Sequence, residues 1–221
     1  MHPLETIIAA LRRAMAAALF DAPGEPAQVP ERNDGMTALT PRVVAYLAHE
    51  EGLVREAYLD SVKVWTWALG VTNASGHQVY PRYKDKPQSL QHCLEVSIWL
   101  MRERYLPPVL RAFDGFDLTE AQLAAALGFH WNTGAIGRAT WVKNYCDGDV
   151  EAAHGAILNW SSGGLLTARR KREQALFFDG IWPADMRVPV YPVRKPSYTP
   201  DFRHGERRDL MPVLQQMMGG A

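Results

Sequence analysis

The 221-residue sequence has only two cysteines, Cys93 and Cys146, with no CxxC pair and no Cys/His metal-ligand spacing. Neither a disulfide framework nor a zinc site is suggested, and both thiols read as free, small core residues. Net charge is missing too: 24 basic residues balance 24 acidic ones. Electrostatics therefore make no case for nucleic acid or an anionic membrane as partner. There is no internal repeat, and no clean signal peptide or membrane anchor. The opening run, 4–20, is broken by Arg12 and Arg13 and has no basic leader before it. His49-Glu50 begins like HExxH, but Leu53 stands where the second histidine belongs, so no metal or other cofactor is expected.

With 47% hydrophobic and 22% charged residues, the chain suits one good-sized globular domain with appendages. Leu4, Ile7, Ile8, Leu11, Met15 and Leu19 form a stripe that predicts an amphipathic helix over 1–20. Docking on protein is favoured for it over lying in a membrane interface. Proline, glycine and charge mark 21–35 as a linker. Residues 36–182 carry nearly all the periodic apolar sequence and form the folded domain. Beyond Trp182, Pro183, Pro189, Pro192, Pro196 and Pro200 predict an extended C-terminal tail over 183–221, with a last short helix around Asp209 to Met218.

Inside the domain, Thr40-Pro41 predicts the start of a helix that stops at Gly52. Ala57 to Gly70 reads as a small hairpin or sheet. Helical periodicity over Leu90 to Tyr105 should end before Pro107-Pro108, and Thr119 with Gln122 makes a capping box for a helix from Ala121 to Phe129. Two more helices are predicted over Val150 to Trp160 and Ala168 to Phe178. The fold class is α+β, a small antiparallel sheet followed by a mostly helical body.

The chemistry concentrates in His49-Glu-Glu-Gly-Leu-Val-Arg-Glu-Ala-Tyr-Leu-Asp-Ser-Val-Lys-Val-Trp-Thr-Trp-Ala-Leu-Gly70. Glycoside hydrolysis needs one carboxylic acid to protonate the leaving oxygen and a second carboxylate to orient water or stabilise the transition state. Glu51 ends a helix, where carbonyl dipoles disfavour an ionised side chain, and it follows the apolar face of Val44, Leu47 and Ala48. Glu50 meets the same criteria. Asp60, beside Ser61 at a turn, should be solvated and ionised. Read locally, the favoured reading of Asp60 is a turn residue and of Thr66 a strand residue.

Glu-Gly-Leu, Ala-Tyr-x-Asp and Trp-Thr, at spacings of nine and six, resemble the catalytic signature of phage-type lysozymes, glycoside hydrolase family 24. The resemblance places the family's acid on Glu51 rather than Glu50, its second carboxylate on Asp60 and its threonine on Thr66. Phe129-His-Trp-Asn-Thr-Gly134 and Ala168-Arg-Arg-Lys-Arg-Glu173 resemble later family segments. That likeness puts Trp131 and Asn132 on the saccharide groove, between sheet and helical body, and Arg169 near Glu51. Core packing is an equal alternative for Trp131. The chain departs from the family after Thr66, where Trp67-Ala-Leu-Gly-Val71 replaces the usual Ile-Gly-Tyr-Gly-His. Lys63 takes a hairpin position where glycine is common, at a cost of about 1 kcal/mol if that position needs positive φ.

The resemblance implies a monomeric, inverting muramidase that cleaves the β-1,4 bond between N-acetylmuramic acid and N-acetylglucosamine, with peptidoglycan strands as its partner. It would wait in the host cytoplasm and reach the wall through a lesion made by a separate membrane-permeabilising protein. Two rival readings are a lysozyme-like module of a phage particle and a chitin-cleaving relative.

Overall fold

The computed structural model describes residues 39–219. The helix expected over 1–20 and the linker over 21–35 lie outside them. Helix α1, Pro41–Glu51, begins as its sequence predicts: Thr40 Oγ1 accepts the Val43 N–H at 3.2 Å, and Pro41 sits where an N–H would have no helical partner. Val43 to Ala48 are buried, and Gly52 ends the helix at φ +70°.

The sheet is larger than the local pattern suggests. Strand β1, Leu53–Leu59, starts four residues before the expected hairpin and pairs antiparallel with β2, Trp65–Ala68, which pairs with β3, Val71–Thr72. The other edge of β1 is taken by β4, Val188–Tyr191, in parallel register, Leu53 against Val190 and Val54 against Tyr191. The short β7, Glu206–Arg208, closes the far edge, giving the order β3-β2-β1-β4-β7, while β5, Val193–Arg194, and β6, Thr199–Pro200, form a separate hairpin. Besides the Val54–Ala68 pairing within the hairpin, Leu53 and Val54 gain a second strand neighbour from well over a hundred residues away, which no local periodicity can reveal.

The helical body begins with α2, Leu90–Leu100. Contrary to the expected stop, helical backbone continues through a π-helical turn at Met101–Tyr105 into α3, Leu106–Ala112. Pro107 and Pro108 fall in the first turn of α3, where a missing N–H removes little, and the widened turn before them accommodates their rings. The capping box is present, with Thr119 Oγ1 accepting the Gln122 N–H at 3.3 Å and Gln122 Oε1 accepting the Thr119 N–H at 3.0 Å. It opens α4, Glu120–Thr133, whose residues from Leu123 to Thr133 are all buried. This central helix runs a turn past Phe129 and packs against both α1 and α7, Thr167–Asp179. Helix α5, Thr140–Cys146, which the pattern does not predict, sets Trp141 against Phe129 of α4 with ring centroids 5.3 Å apart and packs on α6, Val150–Ala156. The last helix, α8, Met211–Met218, lies on α1 and buries Leu214.

Candidate active site

Glu50 and Glu51 end α1 with their carboxyl groups turned inward toward α7, and each side chain is 1% exposed. Their partners differ. Arg172 donates from Nε and Nη2 to the two oxygens of Glu50, both at 2.7 Å, whereas Arg169 Nη1 donates to Glu51 Oε1 at 2.8 Å. Arg169 and Arg172 are three residues apart on α7, so their side chains leave the helix on one face and reach adjacent residues of α1.

Burial pushes the Glu50 carboxyl up, but the Arg172 hydrogen bonds and the charges of Arg169 and Arg172 outweigh it and hold the group below its ordinary value. A carboxylate kept ionised cannot protonate a leaving group. The two glutamates that look alike in sequence are therefore unlike in place.

Arg169 is fixed on every nitrogen. Besides Glu51, its Nε donates to Glu173 Oε1 at 2.9 Å and its Nη2 to the Gly128 carbonyl of α4 at 3.0 Å. Burial works against its charge, yet Glu173 and Glu50 hold its pKa above the usual value. Arg170 brings Nη1 within 2.7 Å of Glu173 Oε2 and donates from Nη2 to Asn132 Oδ1. Burial draws Arg170 down to about 10, which leaves it charged at neutral pH. A methyl group on Gly128 would press on the Tyr46 ring at 3.1 Å, so the lack of a side chain lets α4 approach α1 here.

Asp60 and Thr66 sit on the hairpin that leaves the Glu51 end of α1. Asp60 Oδ1 accepts the N–H groups of Val62 at 2.9 Å and Val64 at 2.8 Å, and its own N–H donates to the Val64 carbonyl at 3.0 Å. These bonds fix the carboxylate on the turn. Thr66 lies opposite Tyr58 in the β1–β2 ladder, on the strand face that Asp60 continues, and its hydroxyl donates to the Val64 carbonyl at 3.1 Å. Lys63 in this turn has φ +63°, and Ala68, at the position of a family glycine, has φ +53°.

Trp131 and Asn132, expected on the saccharide groove, are inside the body. Trp131 is 3% exposed and packs on Tyr105 with ring centroids 4.3 Å apart, while Asn132 is 0% exposed and engaged by Arg170. Helix α4 is enclosed on all sides, so residues near its end are packing and network residues. What the sequence reading missed is the second carboxylate on Arg169. The i,i+4 spacing of Arg169 and Glu173 was its visible signal.

Among the described residues, no group of three or more His, Cys, Asp or Glu side chains is placed to hold a metal, and no helix is long and apolar enough to cross a membrane.

In comparisons with known proteins, no curated protein sequence matches the chain. Several solved structures share its fold, among them these two. An endolysin from Escherichia coli O157:H7 phage FAHEc1 aligns with a TM-score of 0.53 at 20% identity, covering 68% of this chain and 99% of the other. A variant of P22 lysozyme aligns with a TM-score of 0.54 at 23% identity, covering 64% and 99%. The family model described as phage lysozyme matches residues 48–173, a span that holds Glu51, Asp60, Thr66, Arg169 and Glu173. By that match over more than half its length, the chain belongs to the phage lysozyme family of glycoside hydrolases.

Proposed function

We propose that the chain is an endolysin-type muramidase that hydrolyses the β-1,4 bond between N-acetylmuramic acid and N-acetylglucosamine, with Glu51 as general acid. The observation that carries this reading is the contrast at the end of α1: Glu50 is tied at both oxygens to Arg172 and held ionised, while Glu51 Oε1 accepts from Arg169, a buried guanidinium already shared with Glu173 and the Gly128 carbonyl. Burial and the helix carbonyl end work against charge on Glu51, while Arg169 at 2.8 Å favours it and orients the group. Glu51 would protonate the leaving oxygen. Asp60, fixed by the turn amides, would orient water or stabilise the oxocarbenium-like transition state, and the Thr66 oxygen would help hold that water. Family membership supports an inverting outcome. Trp131 and Asn132 act on this reading as supports of the site, not as sugar contacts.

The enzyme acts as a monomer on peptidoglycan strands, without nucleic acid or a resident cofactor. It waits in the host cytoplasm and crosses to the wall through a lesion made by another protein, with membrane contact by the 1–20 segment playing no necessary part. Glu51→Gln should abolish clearing of purified peptidoglycan suspensions while circular dichroism and thermal unfolding show a folded protein. Turnover at the normal rate by that variant would overturn the assignment.

A further inference from the structure

Glu173 has no place in the chemistry just described, yet it is fully buried and shares Arg169 with Glu51. A general acid must be neutral when substrate arrives and ionised once its proton is gone. A guanidinium buried against that acid alone would oppose the first state, because each protonation would strip it of its only counter-charge. We propose that Glu173 is a standing counter-ion, a positioning residue that keeps Arg169 neutralised so that Glu51 can gain and lose its proton. The proposal rests on the reading of Glu51 as the acid.

The surrounding groups leave this task to Glu173. From α1, Glu50 is committed to Arg172 and Tyr46 is a neutral phenol whose pKa is raised by burial and by the charges of Glu173 and Glu50. From α7, Arg170 lies against Glu173 and Asn132, and Arg172 against Glu50. Helix α4 contributes only dipoles, the Gly128 carbonyl and the Asn132 amide. The cluster thus holds three guanidinium groups and, with Glu51 ionised, three carboxylates. When Glu51 is protonated, the two on Glu50 and Glu173 remain, and Arg169 still faces one of them at 2.9 Å. Burial is the larger push and leaves the Glu173 carboxyl above its ordinary value, with Arg170 and Arg169 opposing it. To serve as counter-ion, Glu173 must be kept ionised through the working range by its ion pairs with Arg170 at 2.7 Å and Arg169 at 2.9 Å.

The test is the pH profile of the full chain on peptidoglycan, wild type against Glu173→Gln. Removing a negative charge and leaving Glu51 as the carboxylate bonded directly to Arg169, with Glu50 acting only at longer range, should favour ionised Glu51. The alkaline limb of kcat/KM then moves down by about one pH unit, with roughly tenfold lower activity on that limb and much less change on the acid side. Because Glu173→Gln strands Arg170, the double variant E173Q/R170M is run beside it, with R170M alone as control; the shifted limb should persist in the double variant as thermal stability recovers. A folded variant with an unmoved limb, or with equal loss at every pH, would overturn the proposal and leave Glu173 a purely structural residue. A readout that needs no variant to fold is carbon-13 NMR of glutamate carboxyl groups in the wild-type chain. Glu173 should stay ionised while Glu51 titrates, and a Glu173 protonated at neutral pH would overturn the proposal. Loss of the underlying acid assignment is seen separately, as lysis by Glu51→Gln.

Discussion

The β1–β2 hairpin carries both Asp60 and Thr66, and two of its residues adopt backbone that L-residues avoid: Lys63 at φ +63° and Ala68 at φ +53°. Glycine at either site removes a left-handed penalty of about 1–2 kcal/mol. It also frees the unfolded chain, which takes back about 0.4–1 kcal/mol. Lys63 is exposed and loses no packing, so Lys63→Gly should stabilise the fold by about 0.5–1 kcal/mol, the difference of those terms. Ala68 is 1% exposed, and deleting its buried methyl costs about 0.8 kcal/mol more, which brings Ala68→Gly close to zero. Two sites with the same strain thus give different outcomes because one side chain is packed. Urea unfolding at constant m-value would read the difference, and thermal unfolding should shift by about 2–4 °C per kcal/mol in a chain of this size. Destabilisation by Lys63→Gly, or a larger gain from Ala68→Gly than from Lys63→Gly, would refute the reasoning.

Three further perturbations follow from the same contacts. Gly52→Ala places a methyl 2.8 Å from Tyr191 Cε2 at φ +70°, so it should cost at least about 2 kcal/mol in urea unfolding. Burial draws His130 down to about 4, with Arg111 adding to the effect, so the unfolded chain takes a proton near pH 6.5 that the folded chain refuses until about pH 4. Stability should fall as pH drops across that window, by on the order of 3 kcal/mol, and His130→Gln should flatten unfolding free energies measured between those limits. The depressed Glu50 carboxyl acts in the same direction at still lower pH: its contribution is complete above about pH 4.5 and is lost as pH falls through its lower folded value. Arg172→Gln should remove roughly 1–2 kcal/mol at neutral pH and raise the acid-unfolding midpoint, a modest figure because Arg172 is nearly half exposed.

Local patterns in the chain foretold those elements whose causes are local. Thr40-Pro41, the Thr119 and Gln122 capping box and the Gly52 stop are short-range hydrogen-bond and dihedral devices, and each appears where its residues stand. The glycine-like demand at Lys63 was visible because a turn fixes φ within a few residues. Strand β4 was not visible, because Val188 to Tyr191 become strand between β7 on one edge and the distant Leu53 and Val54 on the other. The continuation past Pro107 and Pro108 was also hidden, since it depends on a π-helical turn that proline content does not announce. At the site, the local helix-end argument could not separate Glu50 from Glu51, and the family resemblance in the spacing to Asp60 and Thr66 made the choice; in the fold the two differ in which arginine of α7 reaches which residue of α1. Trp131 shows the converse limit, an aromatic with a groove-like motif that the surrounding helices bury.

The central claim is that Glu51 supplies the proton that breaks the bond on the N-acetylmuramic acid side. Chemical reduction of the soluble fragments, followed by mass analysis of the muropeptides, tests bond and acid together. Wild-type digestion should give fragments whose reduced end is N-acetylmuramitol, and Glu51→Gln should give none above background while Glu50→Gln still does. Reduced ends at N-acetylglucosamine, or N-acetylmuramitol released by Glu51→Gln at the wild-type rate, would contradict it.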